Sequence, residues 1–179
     1  MVYLDETGVT IDMTRTYAWG LSGQRVVDSI PRNRSRVLTI AGAIGIDGVR
    51  AVMAYEGATT KELFLRFVRE ALVPALRRGD VVVMDNLRAH YTDGVKDQIE
   101  AVGATAIYLP PYSPELNPIE HVWDELREKF FHNRVFKSLD ALEDHLALAL
   151  KTLEEEPNTV SSIVSWPWII GALLTALMN

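Results

Sequence analysis

Val81-Val82-Val83-Met84-Asp85-Asn86 is the stretch on which the fold turns. Four apolar residues in a row, three of them β-branched and none alternating with a polar residue, describe a strand covered on both faces. Asp85-Asn86 ends the run, so an acidic side chain stands at the carboxyl end of a buried strand, where open α/β sheets collect their ligands. Upstream, Leu63, Phe64, Phe67, Val68, Leu72 and Leu76 recur at helical spacing and Gly79 closes that helix. Downstream, Val95, Ile99 and Val102 mark a weaker helix ended by Gly103, and Thr105 to Leu109 forms a second buried strand.

Farther out the pattern changes on both sides. Val2-Tyr3-Leu4 is apolar up to Asp5, and Tyr17 to Leu21, Val37 to Ile46 and Val49 to Tyr55 read as strands, with Gly45-Ile46-Asp47-Gly48 as a hairpin turn. Beyond the turn-rich Pro110-Pro111-Tyr112-Ser113-Pro114 comes a helix with Ile119, Val122, Trp123, Leu126 and Phe130 on one face. A last clear helix carries Leu139, Leu142, Leu146, Leu150 and Leu153. Strands first, then alternating helix and strand, predict an α/β fold: a mixed five-stranded sheet, three antiparallel strands then two parallel ones, flanked by helices. One domain is expected over residues 1–156. Residues 157–179 carry no charge, and Ile163 to Met178 is largely apolar but interrupted by Ser165, Pro167 and Gly171. That run is shorter than the ~20 residues of a membrane span, so a packed terminal helix or an aberrant end is expected instead.

The net charge of −6 argues mildly against nucleic acid, yet the cations are clustered. Arg15, Arg25, Arg32, Arg34 and Arg36 face one acid, Asp28, and Arg127, Lys129, Arg134 and Lys137 form a second group; a solvated surface explains either equally well. The absence of cysteine excludes disulfides and thiolate metal sites. It fits a reducing cytoplasm, as does the opening MVYLDETG, which lacks a secretion signal.

Three acids occupy positions suited to chemistry: Asp5 ending the first strand, Asp85 directly after the apolar strand 81–84, and Glu120 in the first turn of the strong helix. Carboxylates converging at one sheet edge repel unless a cation joins them, and an oxygen-only donor set suits Mg²⁺ or Mn²⁺. Each also has a plain reading. Asp85-Asn86 could close a strand, Asp5-Glu6 could be solvated, and Asn117, Pro118 and Glu120 fit the N-cap, first and third positions of a capping box.

The wider pattern carries more. Tyr3-Leu4-Asp5-Glu6, Met84-Asp85-Asn86 with His90 five residues past the aspartate, and Pro111-Tyr112-Ser113-Pro114-Glu115-Leu116-Asn117-Pro118-Ile119-Glu120 with Trp123 together resemble the DDE transposases of the mariner superfamily, in particular the bacterial insertion-sequence branch. Thirty-four residues separate Asp85 from Glu120, the spacing typical of that branch. The third segment is long and specific, whereas a bare Met-Asp-Asn is weak, and the resemblance runs from residue 1 to about 153. It implies a ribonuclease H-like fold, Asp5, Asp85 and Glu120 as the catalytic metal-binding triad, and two Mg²⁺ ions, replaceable by Mn²⁺, cutting and joining DNA at insertion-element ends. Asn86 and His90 match the motif after the second aspartate and are read as orienting a ligand or contacting phosphate, with plain packing equally open for His90. Asp124, one turn beyond Glu120, is a candidate neighbour of the site or part of a solvated face, and Trp123 is read as core.

Family members carry helix-turn-helix modules before the first aspartate, and nothing here precedes Met1. The resemblance therefore implies DNA as partner, with a homodimer or an assembly with a helix-turn-helix-containing transposase product, and no membrane. The rival readings are a non-autonomous remnant that binds DNA or a full-length transposase without catalysis, and a nuclease of the same fold without transposition. The PYSPELNPIE segment argues against the last.

Overall fold

The computed structural model describes residues 1–13, 19–27, 36–87, 90, 94–132, 134–165, 171 and 175. Five strands, β1 (Val2–Thr10), β2 (Val37–Gly45), β3 (Gly48–Glu56), β4 (Val81–Met84) and β5 (Thr105–Tyr108), form one sheet in the order β3-β2-β1-β4-β5. β1, β2 and β3 pair antiparallel, and β4 and β5 add in parallel beyond β1, as the strand order predicts.

Two boundaries differ from expectation. β1 does not stop at Asp5 but pairs with β2 along its whole length, from Val2 opposite Gly45 to Thr10 opposite Val37. The strand expected over Tyr17 to Leu21 is absent from its described part, and Tyr17 and Ala18 lie outside the described residues. Trp19 and Leu21 are exposed, and β2 already has β1 on one edge and β3 on the other. That segment therefore has neither a layer to bury its side chains nor an edge of β2 to join.

Alternation along the strands splits the core into two layers. Tyr3, Ile40, Ile44 and Val83 face α4 (Ile119–Leu126), α5 (Leu139–Glu155) and α6 (Pro157–Val164). Val2, Leu4, Val82 and Met84 face α1 (Lys61–Phe67), with Phe64 and Phe67, and α3 (Val95–Ala101), with Val95 and Ile99. The α1 helix starts where the Thr60 hydroxyl accepts from Leu63 N at 3.3 Å, a cap of about 1 kcal/mol. It runs on through a wider π turn at Val68–Leu72 and a last turn, α2 (Val73–Ala75). Phe131, in a similar turn after α4, is fully buried while Phe130 is only half-buried, one residue off the expected stripe, because the widened turn rotates the face. The uncharged tail opens with α6, whose Val160, Ile163 and Val164 join the core. No helix among the described residues is long and apolar enough to cross a membrane.

Candidate active site

β1 and β4 are parallel neighbours whose pairing ends at Leu4 opposite Met84. The next residues, Asp5 and Asp85, therefore emerge side by side at the carboxyl end of the sheet. The α4 helix brings the third acid. The Asn117 side-chain amide donates to Leu4 O at 3.0 Å, tying the approach to α4 to the residue before Asp5. The Trp123 indole packs against Gly42, which pairs with Asp5; a Cβ there would stand 2.5 Å from the indole, so only glycine lets the helix come this close. Asp5, Asp85, Asn86 and Glu120 thus line one cleft of about 420 Å³, closed on another side by the loop 110–114.

The capping box does not form. Asn117 is extended and spends its amide on β1, the residue before the first helical turn is Pro118, and no side chain caps α4. A buried carbonyl on the central strand is the costlier group to leave unpaired, so it takes the asparagine. The Glu120 carboxylate is left to the cleft.

The site is electrostatically unsatisfied. Asp5 is buried, and its Oδ2 has no hydrogen-bond partner. Burial, with the Glu120 charge adding to it, pushes its carboxyl up to about 8. Burial also raises Glu120; the nearby Arg127 guanidinium opposes this, while Asp124 and Asp85 reinforce it. The donor chemistry, carboxylate oxygens alone with one orphaned and buried, fits a hard divalent cation. Even so, no three His, Cys, Asp or Glu residues among those described are drawn together closely enough to enclose one.

His90 stands behind this wall rather than in it. Fully buried and stacked on Phe64 at 4.1 Å, it sets Nε2 2.8 Å from Glu6 Oε2 and Nδ1 2.5 Å from Asp85 Oδ1. Burial alone would lower its pKa, but the two carboxylates override that and carry it to about 10, so it is an imidazolium bridge. Leu87 N also points at Asp85 Oδ1, at 3.3 Å, so both contacts fall on one oxygen. Asp124 stays outside the cleft, its side chain 68% exposed and paired with Arg127 at 2.6 Å. Arg127 in turn donates to the Thr7 hydroxyl at 2.9 Å.

Glu6 is the functional neighbour that sequence reasoning missed. Alternation held the signal: adjacent acids on a strand point to opposite faces, so Asp5 and Glu6 cannot share a site, and Glu6 needs a cation on the α1 side. Of the basic clusters, Arg36 pairs with Glu56 at 2.7 Å and Lys129 with Glu125 at 2.9 Å, while Arg15, Arg32 and Arg34 lie outside the described residues.

A mixed sheet carrying one acid midway along β1, a second just past the end of β4 and a third at the start of α4 has the frame of a ribonuclease H-like fold. Residues 1–143 match the DDE superfamily endonucleases, and the chain belongs to that family. Over 90 residues it is 37% identical to the uncharacterized protein y4pE/y4sA of Sinorhizobium fredii, a match covering 49% of this chain and 63% of that one. Its fold is similar to that of the Mos1 mariner paired-end complex with Mn (TM-score 0.68, 17% identity, 92% of this chain and 54% of that one). It is also similar to the Mos1 transposase catalytic domain with Raltegravir and Mn (TM-score 0.56, 14% identity, 92% and 83%). The chain spans less than two thirds of the curated relative and about half of the full Mos1 chain.

Proposed function

We propose that this chain is the catalytic domain of a DNA transposase that cuts and joins phosphodiesters at insertion-element ends. Asp5, Asp85 and Glu120 would hold two Mg²⁺ ions, with Mn²⁺ able to replace them. The observation that carries the reading is the delivery of three carboxylates by three separate elements to one cleft, with a buried Asp5 oxygen left unpartnered. When bound, such ions supply Lewis-acid stabilisation of the phosphate and of the leaving oxygen. Asp5 would contribute a carboxylate fixed on the central strand, its ionised form favoured by a cation held beside it. Asp85 is aimed by His90 and Leu87 N, which occupy its Oδ1 and leave Oδ2 for the cleft. Glu120 is held at its distance by the Asn117 tie and the Trp123–Gly42 contact.

The neighbouring Mos1 structures were obtained with Mn and with Mg, and as paired-end complexes, which supports a divalent ion and transposon-end DNA here. A homodimer, or an assembly with a helix-turn-helix-containing product, and a cytoplasmic site of action go with the reading. The open spacing of the carboxylates favours the rival of a non-catalytic DNA-binding remnant, and one experiment separates the two. With Mn²⁺ and DNA bearing the element's ends, joined to end-recognition modules, the protein should leave 3′-hydroxyl and 5′-phosphate termini. Glu120→Gln should abolish cleavage by orders of magnitude with the fold intact. Near-normal cleavage by Glu120→Gln would mean the third carboxylate is misassigned, with Asp124 next to test; no cleavage by the wild type would favour the remnant.

A further inference from the structure

Tyr112 holds a position that its residue type does not suit. It is the one non-glycine residue with positive φ among those described, at 59°, and its side chain is fully exposed at 101%. It follows Pro111 in a turn where the left-handed slot after a proline favours glycine or asparagine, and a side chain bearing a Cβ is strained there. The ring finds no aromatic or hydrogen-bonding partner among the described residues. Strained, sparsely populated backbone conformations cluster at functional sites, and this one lines the cleft with Asp5, Asp85 and Glu120. Leu87, 50% exposed, lines the same cleft from the loop after β4. An aromatic face and an aliphatic side chain, bare and on two different loops of a cleft lined by three carboxylates, match a flat ligand attached to a phosphodiester.

We propose that Tyr112 is a stacking platform for a nucleobase next to the scissile phosphate, with Leu87 against the base's other face. This rests on the reading of the cleft as a DNA-cutting site and deepens it. The substrate class it selects is a strand whose base at the cut is unstacked, as at a frayed or single-stranded end. Stacking on an aromatic ring is tolerant of base identity, so the contact positions the strand without reading its sequence.

The experiment uses DNA with a frayed end carrying the fluorescent base 2-aminopurine at successive positions, bound by the full chain in Ca²⁺ so that cleavage plays no part. The wild type and Tyr112→Phe should change the fluorescence at one position and bind alike. Tyr112→Ala should bind about tenfold more weakly, or about 1.4 kcal/mol, and lose the signal. An abasic residue at that position should weaken the wild type equally and leave Tyr112→Ala no worse. Tyr112→Gly should melt at an equal or higher temperature, since glycine relieves the positive φ, and yet bind as weakly as Tyr112→Ala. Equal affinity of Tyr112→Ala and wild type, or equal loss by Tyr112→Ala on abasic and normal DNA, overturns the proposal. Asp85→Asn cutting as fast as wild type would overturn the catalytic reading instead, while leaving the binding result to decide on Tyr112.

Discussion

Replacing Asp5 with asparagine should make the cation-free protein more stable, by an amount that depends on pH. The Asp5 carboxyl titrates near 8 in the folded chain against 3.8 in an ordinary setting. The fold therefore holds a proton that the unfolded chain has already released, and stability falls as pH rises between those values. At about 1.4 kcal/mol per pH unit, the loss approaches about 6 kcal/mol and levels off above about pH 8. The amide of the Asp5→Asn variant cannot ionise, so that protein escapes the loss. His90, raised to about 10 by Glu6 and Asp85 against the pull of burial, adds its own decline between 6.5 and about 10. That decline is common to both proteins and cancels in their difference. Urea unfolding followed by tryptophan fluorescence, in chelator from about pH 5 to about pH 9, should show the Asp5→Asn advantage growing by about 3–4 kcal/mol up to about pH 8 and then flattening. Millimolar Mn²⁺ should restore the wild type and leave Asp5→Asn unmoved. Parallel pH curves for the two proteins in chelator would refute the reasoning, because Asp5 would then be ionised at no cost.

Other outcomes follow from the same contacts. Glu6→Gln leaves a buried imidazolium with one carboxylate instead of two; it should cost about 1–3 kcal/mol in denaturation and weaken Mn²⁺ binding through a less firmly held Asp85, measured by calorimetry. Gly42→Ala forces a methyl against the Trp123 indole and should cost about 1–3 kcal/mol, with Trp123→Phe restoring part of it in the double variant. Asp124→Ala should change stability by less than about 1 kcal/mol, since its ion pair is exposed, and should leave cleavage near normal. Binding of duplex DNA by the chain alone should be weak, indifferent to sequence and steeply lost with salt; sequence-selective nanomolar binding by this chain would contradict that.

Much of the fold was legible because its strongest signals are one-dimensional. The apolar run at 81–84, the helical stripe at 63–76 and the change from strands to alternating helices each survive in the structure. What was not legible depends on partners distant in sequence. Asn117 reads as a helix cap from its neighbours alone, and only the Leu4 carbonyl, 113 residues away, draws it elsewhere. Tyr17 to Leu21 has strand composition but no free edge of β2 to meet. The acids that line the cleft were legible by type and spacing, whereas the division of Asp5 and Glu6 between opposite faces needed the true extent of β1.

The position of β1 sets an order of assembly. It comes first in the chain yet lies in the middle of the sheet, between β2 and β4. During synthesis one edge can be covered as soon as β2 and its hairpin partner β3 emerge. The other stays open until Val81–Met84 arrives, and the acids meet only once Asn117 and Glu120 have followed. Loop closures of that length are slow, and an uncovered strand edge invites pairing with other chains. A half-made chain would be prone to aggregation, with its acids still apart, so every part of the cleft but its last wall accumulates before the cleft exists.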